Sequence, residues 1–137
     1  MQLEQLLSGL NDAAKLIQGN NAAQGFWDKE RNVGELLMLV TSELGEAMEA
    51  HRKNKFADTE VYNVLIQTIV EVGQKNVDAA LATTFENTIK DTFEDEIADA
   101  VIRLLDLAGG LNIDLEKHII AKVKYNETRP RLHGKKY

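Results

Sequence analysis

The chain has no cysteine and only one proline among its 137 residues. The absence of cysteine excludes a disulfide framework, a cysteine-ligated zinc site and a thiol nucleophile. Aromatic residues make up 6% of the chain, and runs of β-branched residues are rare, whereas long segments repeat their apolar residues with the helical period of 3.6. The sequence therefore predicts an all-α protein with the composition of an ordinary folded domain.

The sequence also lacks a run of about 18 apolar residues, so we expect no membrane span. No signal-peptide pattern is present near Met1, and we therefore expect a cytoplasmic location. The net charge of −6 disfavours nonspecific binding of nucleic acid. Acidic residues concentrate in the middle of the chain, whereas basic residues dominate from Lys117 onward. This asymmetry favours a site that holds both cations and an anion.

Periodicity predicts six helices in a single domain of residues 1–137. Their predicted bounds are 2–18, 32–53, 59–72, 77–90, 93–108 and 115–126. We expect the first helix to end at Gly19, Asn20 and Asn21. We expect Asp58 or Thr59 to cap the third helix and Asp114 to cap the last one. Pro130 cannot continue the last helix, so the tail is expected to extend over the surface.

Two of these helices are apolar on most of their circumference, which is typical of helices inside a bundle. We expect the following residues to face the core: Leu37, Val40, Leu44 and Met48 on the second helix, and Phe93, Ile97, Val101, Leu104, Leu105 and Ala108 on the fifth.

The fifth helix carries one polar stripe within this apolar surface. Its members are Glu96, Asp99, Arg103 and Asp106, at spacings that align them along the helix. Because apolar residues flank the stripe, we expect it to be buried or half-buried. Buried carboxylates need a cation or a proton, and Arg103 supplies only one positive charge. We expect Arg103 and Asp106 to form a supporting ion pair.

A second acidic pair, Glu43 and Glu46, occupies a similar position on the second helix. If the two helices pack antiparallel, Glu43, Glu46, Glu96 and Asp99 can converge. Four hard oxygen ligands would select Mg²⁺, which Mn²⁺ can replace, over zinc. The alternative is that both pairs are solvated helix faces with local salt bridges. A di-iron bundle needs Glu-x-x-His motifs, and none is present.

The last predicted helix supplies complementary charge. Lys122, Asn126 and Arg129 align in one stripe near its C-terminal end, where the helix dipole favours cations. These side chains can donate hydrogen bonds to phosphate oxygens, with Arg able to bind two at once. The alternative is a solvated basic face. Near the N-terminus, Phe26 and Trp27 lie in a predicted loop, where Trp27 either covers the core or borders a pocket for a planar ligand.

Three segments together resemble one family. SELGEAMEAHRK, EDEIADAVIRLLDLAG and KVKYNETRPRLHGKKY are similar to the MazG-like, all-α nucleoside triphosphate pyrophosphohydrolases, as is GFWDKERNVGELLMLVTSELGEA. The resemblance covers residues 24–53 and 93–137. It implies a MazG-like bundle of four to six helices, assembled as a homodimer or a homotetramer that is a dimer of dimers.

The resemblance also implies an activity and residue roles. The expected reaction is Mg²⁺-dependent hydrolysis of a nucleoside triphosphate to the monophosphate and pyrophosphate. Glu43, Glu46, Glu96 and Asp99 would be the metal ligands and catalytic carboxylates. Lys122, Asn126 and Arg129 would bind the substrate phosphates, with a further match at Lys135, Lys136 and Tyr137. Phe26 and Trp27 are candidates for the base pocket.

Two departures from the family pattern keep other functions open. Ser42 stands where many members have an additional Glu, and residues 55–92 form a predicted inserted helical hairpin. The main alternative is a non-catalytic helical module that binds nucleotides or proteins and retains the family fold. A plain helical oligomerisation module is a third possibility, and it predicts no thermal shift with Mg²⁺.

Overall fold

The computed structural model describes residues 2–73 and 76–134, and within these ranges the chain is all-α, with no β-strand. This confirms the predicted all-α class. The described helices are α1 (Leu3–Leu7), α2 (Leu10–Ala23), α3 (Val33–Arg52), α4 (Thr59–Val72), α5 (Val77–Thr88), α6 (Phe93–Gly110) and α7 (Leu115–Glu127), followed by a 3₁₀ helix (Arg131–Gly134). None of them is both long and apolar enough to cross a bilayer.

The chain forms two compact units. One contains residues up to Val33 and from Leu104 onward, and the other contains Gly34–Arg103. In the first unit, α7 packs against both α1 and α2. In the second unit, α4 packs against α5. These two helices lie within the predicted insertion of residues 55–92, whose role remains a prediction.

Two predictions about the first helix were wrong. The helix is interrupted at Gly9, which adopts a left-handed φ of +96°. The carboxylate of Glu116 explains the break, because its Oε1 accepts hydrogen bonds from the backbone N–H groups of Gly9 and Asn11 at 3.0 Å each. The helix also does not end at Gly19–Asn21 but continues to Ala23. A single glycine inside a helix costs only about 1 kcal/mol, so Gly19 does not by itself end α2.

Caps and stops elsewhere follow the sequence more closely. Asp58 caps α4 through a 3.0 Å bond from Val61 N–H, and Asp114 caps α7 through a 3.1 Å bond from Lys117 N–H. α7 ends before Pro130, as predicted. The segment beyond it was expected to be extended but forms a 3₁₀ helix at Arg131–Gly134. The predicted site match at residues 135–137 lies outside the described residues.

In the second unit, α3 and α6 run antiparallel. The rings of His51, near the end of α3, and Phe93, at the start of α6, are 5.2 Å apart. Further along the pair, Arg103 Nε donates to Glu43 Oε1 over 2.6 Å. The antiparallel arrangement required for convergence of the carboxylates is therefore present.

The predicted core faces of these helices were wrong for most of their residues. The buried face of α3 contains Leu36, Val40, Glu43, Ala47 and Ala50, and the neighbouring positions on α6 include the buried Glu96 and Ala100. The stripe one residue further on each helix is exposed by 40–53% and contains Leu37, Leu44 and Met48 on α3 and Ile97 and Val101 on α6. We call this surface the apolar face. Because both stripes are apolar, periodicity alone could not distinguish them.

Successive residues on a helix are rotated by about 100°. In an antiparallel pair, the residues that directly follow the contact positions therefore lie on one side of the pair on both helices. The residues that directly precede the contact positions lie on the other side. The apolar face therefore lies on one side of the α3–α6 pair. The opposite side carries acidic residues, and we call it the acidic face: Glu46, Glu49, Asp95 and Asp99.

Candidate metal centre

Three predicted carboxylates meet between α3 and α6. Carboxylate oxygens of Glu43, Glu96 and Asp99 all lie within 4.8 Å of one another. Opposite oxygens around one Mg²⁺ are separated by about 4 Å, so small side-chain movements would suffice to bring these ligands onto one ion. Glu43 is 6% exposed and Glu96 is 5% exposed, whereas Asp99 lies nearer the surface. The buried position predicted for the polar stripe is thus confirmed for Glu96.

Glu46 lies beside this cluster rather than within it. Its side chain is exposed, yet its charge is close enough to raise the pKa values of Glu96 and Asp99. The hydroxyl of Ser42 donates to Glu46 Oε1 over 3.4 Å. Ser42 is therefore in weak contact with one of the predicted metal ligands.

Two acids of the cluster have raised pKa values, which means that their surroundings disfavour the negative charge. Burial raises the pKa of Glu96 to about 7, with further increases from the charge of Glu46 and from its hydrogen bond to Glu43. Burial also raises the pKa of Asp99, and Asp95 and Glu43 add to that increase. A raised pKa favours the protonated carboxyl of Glu96 near neutral pH. A divalent cation can take the place of that proton.

One cation partly neutralises the cluster. Arg103 donates from Nε to Glu43 Oε1 over 2.6 Å, and its side chain is 41% exposed while that of Glu43 is 8% exposed. The predicted pairing of Arg103 with Asp106 was therefore wrong. A carboxylate on the facing helix offers Arg103 a short charged hydrogen bond, and Asp106 bonds instead to the indole of Trp27.

The structure adds two acidic residues that sequence reasoning missed. Oxygens of Asp91, Asp95 and Glu96 form a second close group, which shares Glu96 with the first. Asp91 precedes α6 with a left-handed φ of 59°, and its backbone N–H donates to Asp95 Oδ2 over 2.9 Å. The available signal was the density of acidic residues around the start of α6. Helical spacing from Glu96 and Asp99 could not reveal Asp91, which precedes the helix.

The predicted phosphate-binding residues lie in the first unit, on α7 and directly after it. The side-chain nitrogen of Lys122 lies 5.2 Å from the centre of the Tyr125 ring, and the guanidinium carbon of Arg129 lies 5.8 Å from the same centre. Asn126 Oδ1 is buried and has no hydrogen-bond partner. Both cations therefore lie against the Tyr125 ring, and the amide oxygen of Asn126 is a buried acceptor without a partner.

The two candidates for a base pocket differ in their surroundings. Trp27 Nε1 donates to the buried Asp106 Oδ1 over 2.9 Å, and the indole ring lies directly against Gly110, where a Cβ would collide with it. Phe26 is 59% exposed. Trp27 therefore packs on the C-terminal end of α6, as the core-covering alternative predicts. A role of either residue in binding a base stays a prediction.

Comparisons of this chain with protein-family models, with curated proteins and with solved structures found no significant match. The features that bear on function are therefore the geometry of the carboxylates and the resemblance carried by the sequence motifs.

Proposed function

We propose that this protein is a Mg²⁺-dependent nucleoside triphosphate pyrophosphohydrolase, which releases a nucleoside monophosphate and pyrophosphate. The observation that carries this proposal is the convergence of Glu43, Glu96 and Asp99 between two antiparallel helices. Their motifs resemble those of the MazG-like family. The pKa of about 7 for the buried Glu96 supports a site that requires a cation, because burial and neighbouring acids otherwise favour the protonated carboxyl.

The donors fit Mg²⁺ or Mn²⁺. Carboxylate oxygens are the ligands these hard ions prefer, and no soft ligand belongs to the described cluster. Glu43, Glu96 and Asp99 would hold the metal, with Glu46 as the fourth predicted ligand. When bound, Mg²⁺ would offset the negative charge of phosphate oxygens and favour ionisation of water.

Residues of the chain would support the reaction in distinct ways. Arg103 orients the Glu43 carboxylate through its 2.6 Å hydrogen bond, and the Ser42 hydroxyl lies 3.4 Å from Glu46 Oε1. A carboxylate of the cluster would accept a proton from the water that attacks the α-phosphorus. The bond from this phosphorus to the bridging oxygen would then break, and pyrophosphate would leave with that oxygen. Lys122 and Arg129 are proposed to stabilise pyrophosphate, and Asn126 to position a phosphate oxygen or the ribose.

We also propose that two copies of the chain associate through the apolar face. Large side chains at Leu37, Leu44, Met48, Ile97 and Val101 are each 40% exposed or more. Their spacing on α3 and α6 is that of the seam of a helical bundle, so a second copy related by a twofold axis would complete four helices. Full burial of such a side chain stabilises by about 1.5–3 kcal/mol, and this favours an apolar contact over exposure to water.

The direct test of activity is to supply a panel of deoxynucleoside and ribonucleoside triphosphates with Mg²⁺ and to measure pyrophosphate and single phosphate separately. We expect pyrophosphate and a nucleoside monophosphate in equal amounts, with activity lost in Glu96→Gln and in Asp99→Asn. The matched control is Glu86→Gln, since Glu86 is an exposed acid on α5.

Three outcomes would count against parts of the proposal. Release of single phosphate would reject the reaction, and activity that survives in Glu96→Gln or Asp99→Asn would reject the site. Metal-dependent binding of a nucleotide without turnover would instead favour the non-catalytic module.

A further inference from the structure

A small pocket opens beside the carboxylate cluster within the second unit. It has a volume of about 150 Å³ and is lined by Glu46, Glu49, Ala50, Lys53, Lys55 and Asp91. Sites that enclose drug-sized ligands have volumes from about 300 Å³ upward, so this pocket suits a phosphate group better than a nucleoside. Neither lysine belongs to the predicted phosphate-binding set.

Hydrogen bonds hold the backbone of Lys55 at both its N–H group and its carbonyl oxygen. Its N–H donates to Ala50 O over 2.9 Å, and its carbonyl oxygen accepts from Phe93 N–H over 2.9 Å. Asn54, in a left-handed conformation with φ of 53°, produces the turn that makes both bonds possible. The end of α3 is thereby tied to the start of α6, next to the carboxylates. The position of Lys55 at this pocket is therefore set by main-chain hydrogen bonds.

Lys53 directly follows α3 and lies one helical turn after Glu49. Its Nζ is 3.0 Å from Glu49 Oε1, and the side chains are 62% and 52% exposed. Exposed ion pairs of this kind contribute little stability, so Lys53 can exchange Glu49 for a stronger partner at low cost. A phosphate dianion is such a partner, because charge-assisted hydrogen bonds to phosphate are shorter and stronger than neutral ones.

The two lysines bring positive charge to an edge of the site that is otherwise acidic. The pocket shares Glu46 with the predicted metal ligands and Asp91 with the second acidic group. A polyphosphate that approaches a cation in this cluster must pass several carboxylates, which repel it. Lys53 and Lys55 are the cations that line the pocket. The hydrogen bond from Lys90 lowers the pKa of Asp91, and the charge of Lys55 adds to that decrease.

We propose that Lys53 and Lys55 form a binding site for a terminal phosphate group of a metal-bound polyphosphate chain. This inference rests on the proposed function, since it assumes that a triphosphate reaches the carboxylate cluster. It differs from the predicted role of Lys122, Asn126 and Arg129 by placing a phosphate contact within the second unit, next to the metal ligands.

The test is calorimetric titration with the Mg²⁺ complex of inorganic tripolyphosphate, which contains no base or sugar. We expect Lys53→Gln and Lys55→Gln each to raise the Kd about tenfold, with a larger loss in the double variant. Lys53→Arg should retain most of the affinity. Arg52→Gln is the matched control, because it removes the same charge from the adjacent residue, which does not line the pocket, and it should change the Kd less than threefold.

A substitution at Glu49 is expected to change the affinity for tripolyphosphate in the opposite direction. Glu49→Gln removes the residue that competes for Lys53, so it should bind tripolyphosphate more tightly than the wild-type protein. A separate titration with Mn²⁺ alone should show metal binding preserved in Lys53→Gln and Lys55→Gln. Thermal unfolding of every variant provides the check that it is folded.

The outcomes separate this inference from the proposed function. If the wild-type protein binds no tripolyphosphate with Mg²⁺, both fail. If it hydrolyses nucleoside triphosphates while the double lysine variant binds tripolyphosphate with unchanged affinity, only the lysine site fails. Equal losses in Arg52→Gln and Lys53→Gln would also overturn the lysine site, since the effect would then be one of net charge. Weaker binding by Glu49→Gln would contradict the exchange of partners.

Discussion

Arg103 and Glu43 join the two helices of the candidate metal centre through a 2.6 Å hydrogen bond from Nε to Oε1. Burial raises the pKa of Glu96 to about 7, and the neighbouring Glu46 and Glu43 add to that increase. Glu43 therefore lies between the fixed cation of the site and the group whose pKa is raised. The guanidinium cannot give up its proton near neutral pH. A proton on the acids or a bound cation can supply further neutralisation.

Loss of Arg103 should destabilise the protein most when no divalent metal is present. Arg103→Met would leave the buried Glu43 carboxylate without its charged partner, and we expect a loss of about 1–3 kcal/mol in the free energy of unfolding. Urea unfolding in EDTA measures this loss, and saturating Mg²⁺ should restore part of it. The control Lys124→Met removes an exposed ion pair with Glu4 and should have little effect. Equal losses in both variants would contradict a special role for Arg103.

The stability of the metal-free protein should fall as the pH rises from about 4.5 to 7. The pKa of Glu96 is raised to about 7 by burial and by its acidic neighbours, so the folded state binds a proton more tightly than the unfolded state does. This contribution is fully present below the unfolded pKa and is lost as the pH passes the folded pKa. We expect a decrease of roughly 2 kcal/mol from Glu96.

Urea unfolding in EDTA at several pH values between 4 and 8 tests this dependence. Glu96→Gln removes the titrating group and should flatten the profile over this window. Asp99, whose pKa is also raised by burial, leaves a smaller slope of the same sign. A profile of the variant as steep as that of the wild-type protein would show that other groups cause the decrease.

The close packing of Trp27 on Gly110 predicts a large effect of a single methyl group. A Cβ at residue 110 would overlap the indole ring, so Gly110→Ala must displace Trp27 and its bond to Asp106. We expect destabilisation of about 1–3 kcal/mol, as for overpacked cores. Because Trp27 is the only tryptophan, its fluorescence reports the displacement directly. Gly45→Ala, which meets nothing within 4 Å, should leave the spectrum unchanged and preserve or increase stability.

Association through the apolar face predicts a dimer that a charge can disrupt. Leu44→Glu would place a carboxylate in the centre of that face, so we expect a monomer by sedimentation equilibrium at concentrations where the wild-type protein is dimeric. Val70→Glu is the matched control, because Val70 is exposed on α4 and lies outside the face. A wild-type monomer at high concentration, or equal dissociation of both variants, would contradict the proposed interface.

The sequence predicted the parts of the fold that depend on local chemistry. The caps at Asp58 and Asp114 and the stop before Pro130 arise from side chains near the helix ends in the chain, which a sequence displays. The break at Gly9 depends on Glu116, which is 107 residues away. The 3₁₀ helix after Pro130 also had no periodic signal, because it is only four residues long.

In the candidate site, too, features set by nearby residues were predictable and features set by contacts between segments were not. Convergence of Glu43, Glu96 and Asp99 was predictable, since helical spacing placed each pair on one side of its helix. The partner of Arg103 was not predictable. The nearest acid on its own helix is Asp106, whereas the acid that it binds, Glu43, lies on the facing helix. The pocket at Lys53 and Lys55 arises from a turn and from hydrogen bonds between segments, and neither feature has a repeating pattern in the sequence.

The measurement that tests the central claim most directly is titration of Mn²⁺, followed by electron paramagnetic resonance, into the wild-type protein, Glu96→Gln and Glu86→Gln. If Glu43, Glu96 and Asp99 hold a divalent cation, the wild-type protein and Glu86→Gln will bind Mn²⁺ with the same affinity. The affinity of Glu96→Gln will then be at least tenfold weaker. Equal Mn²⁺ affinity for Glu96→Gln and the wild-type protein would contradict the assignment of the metal centre.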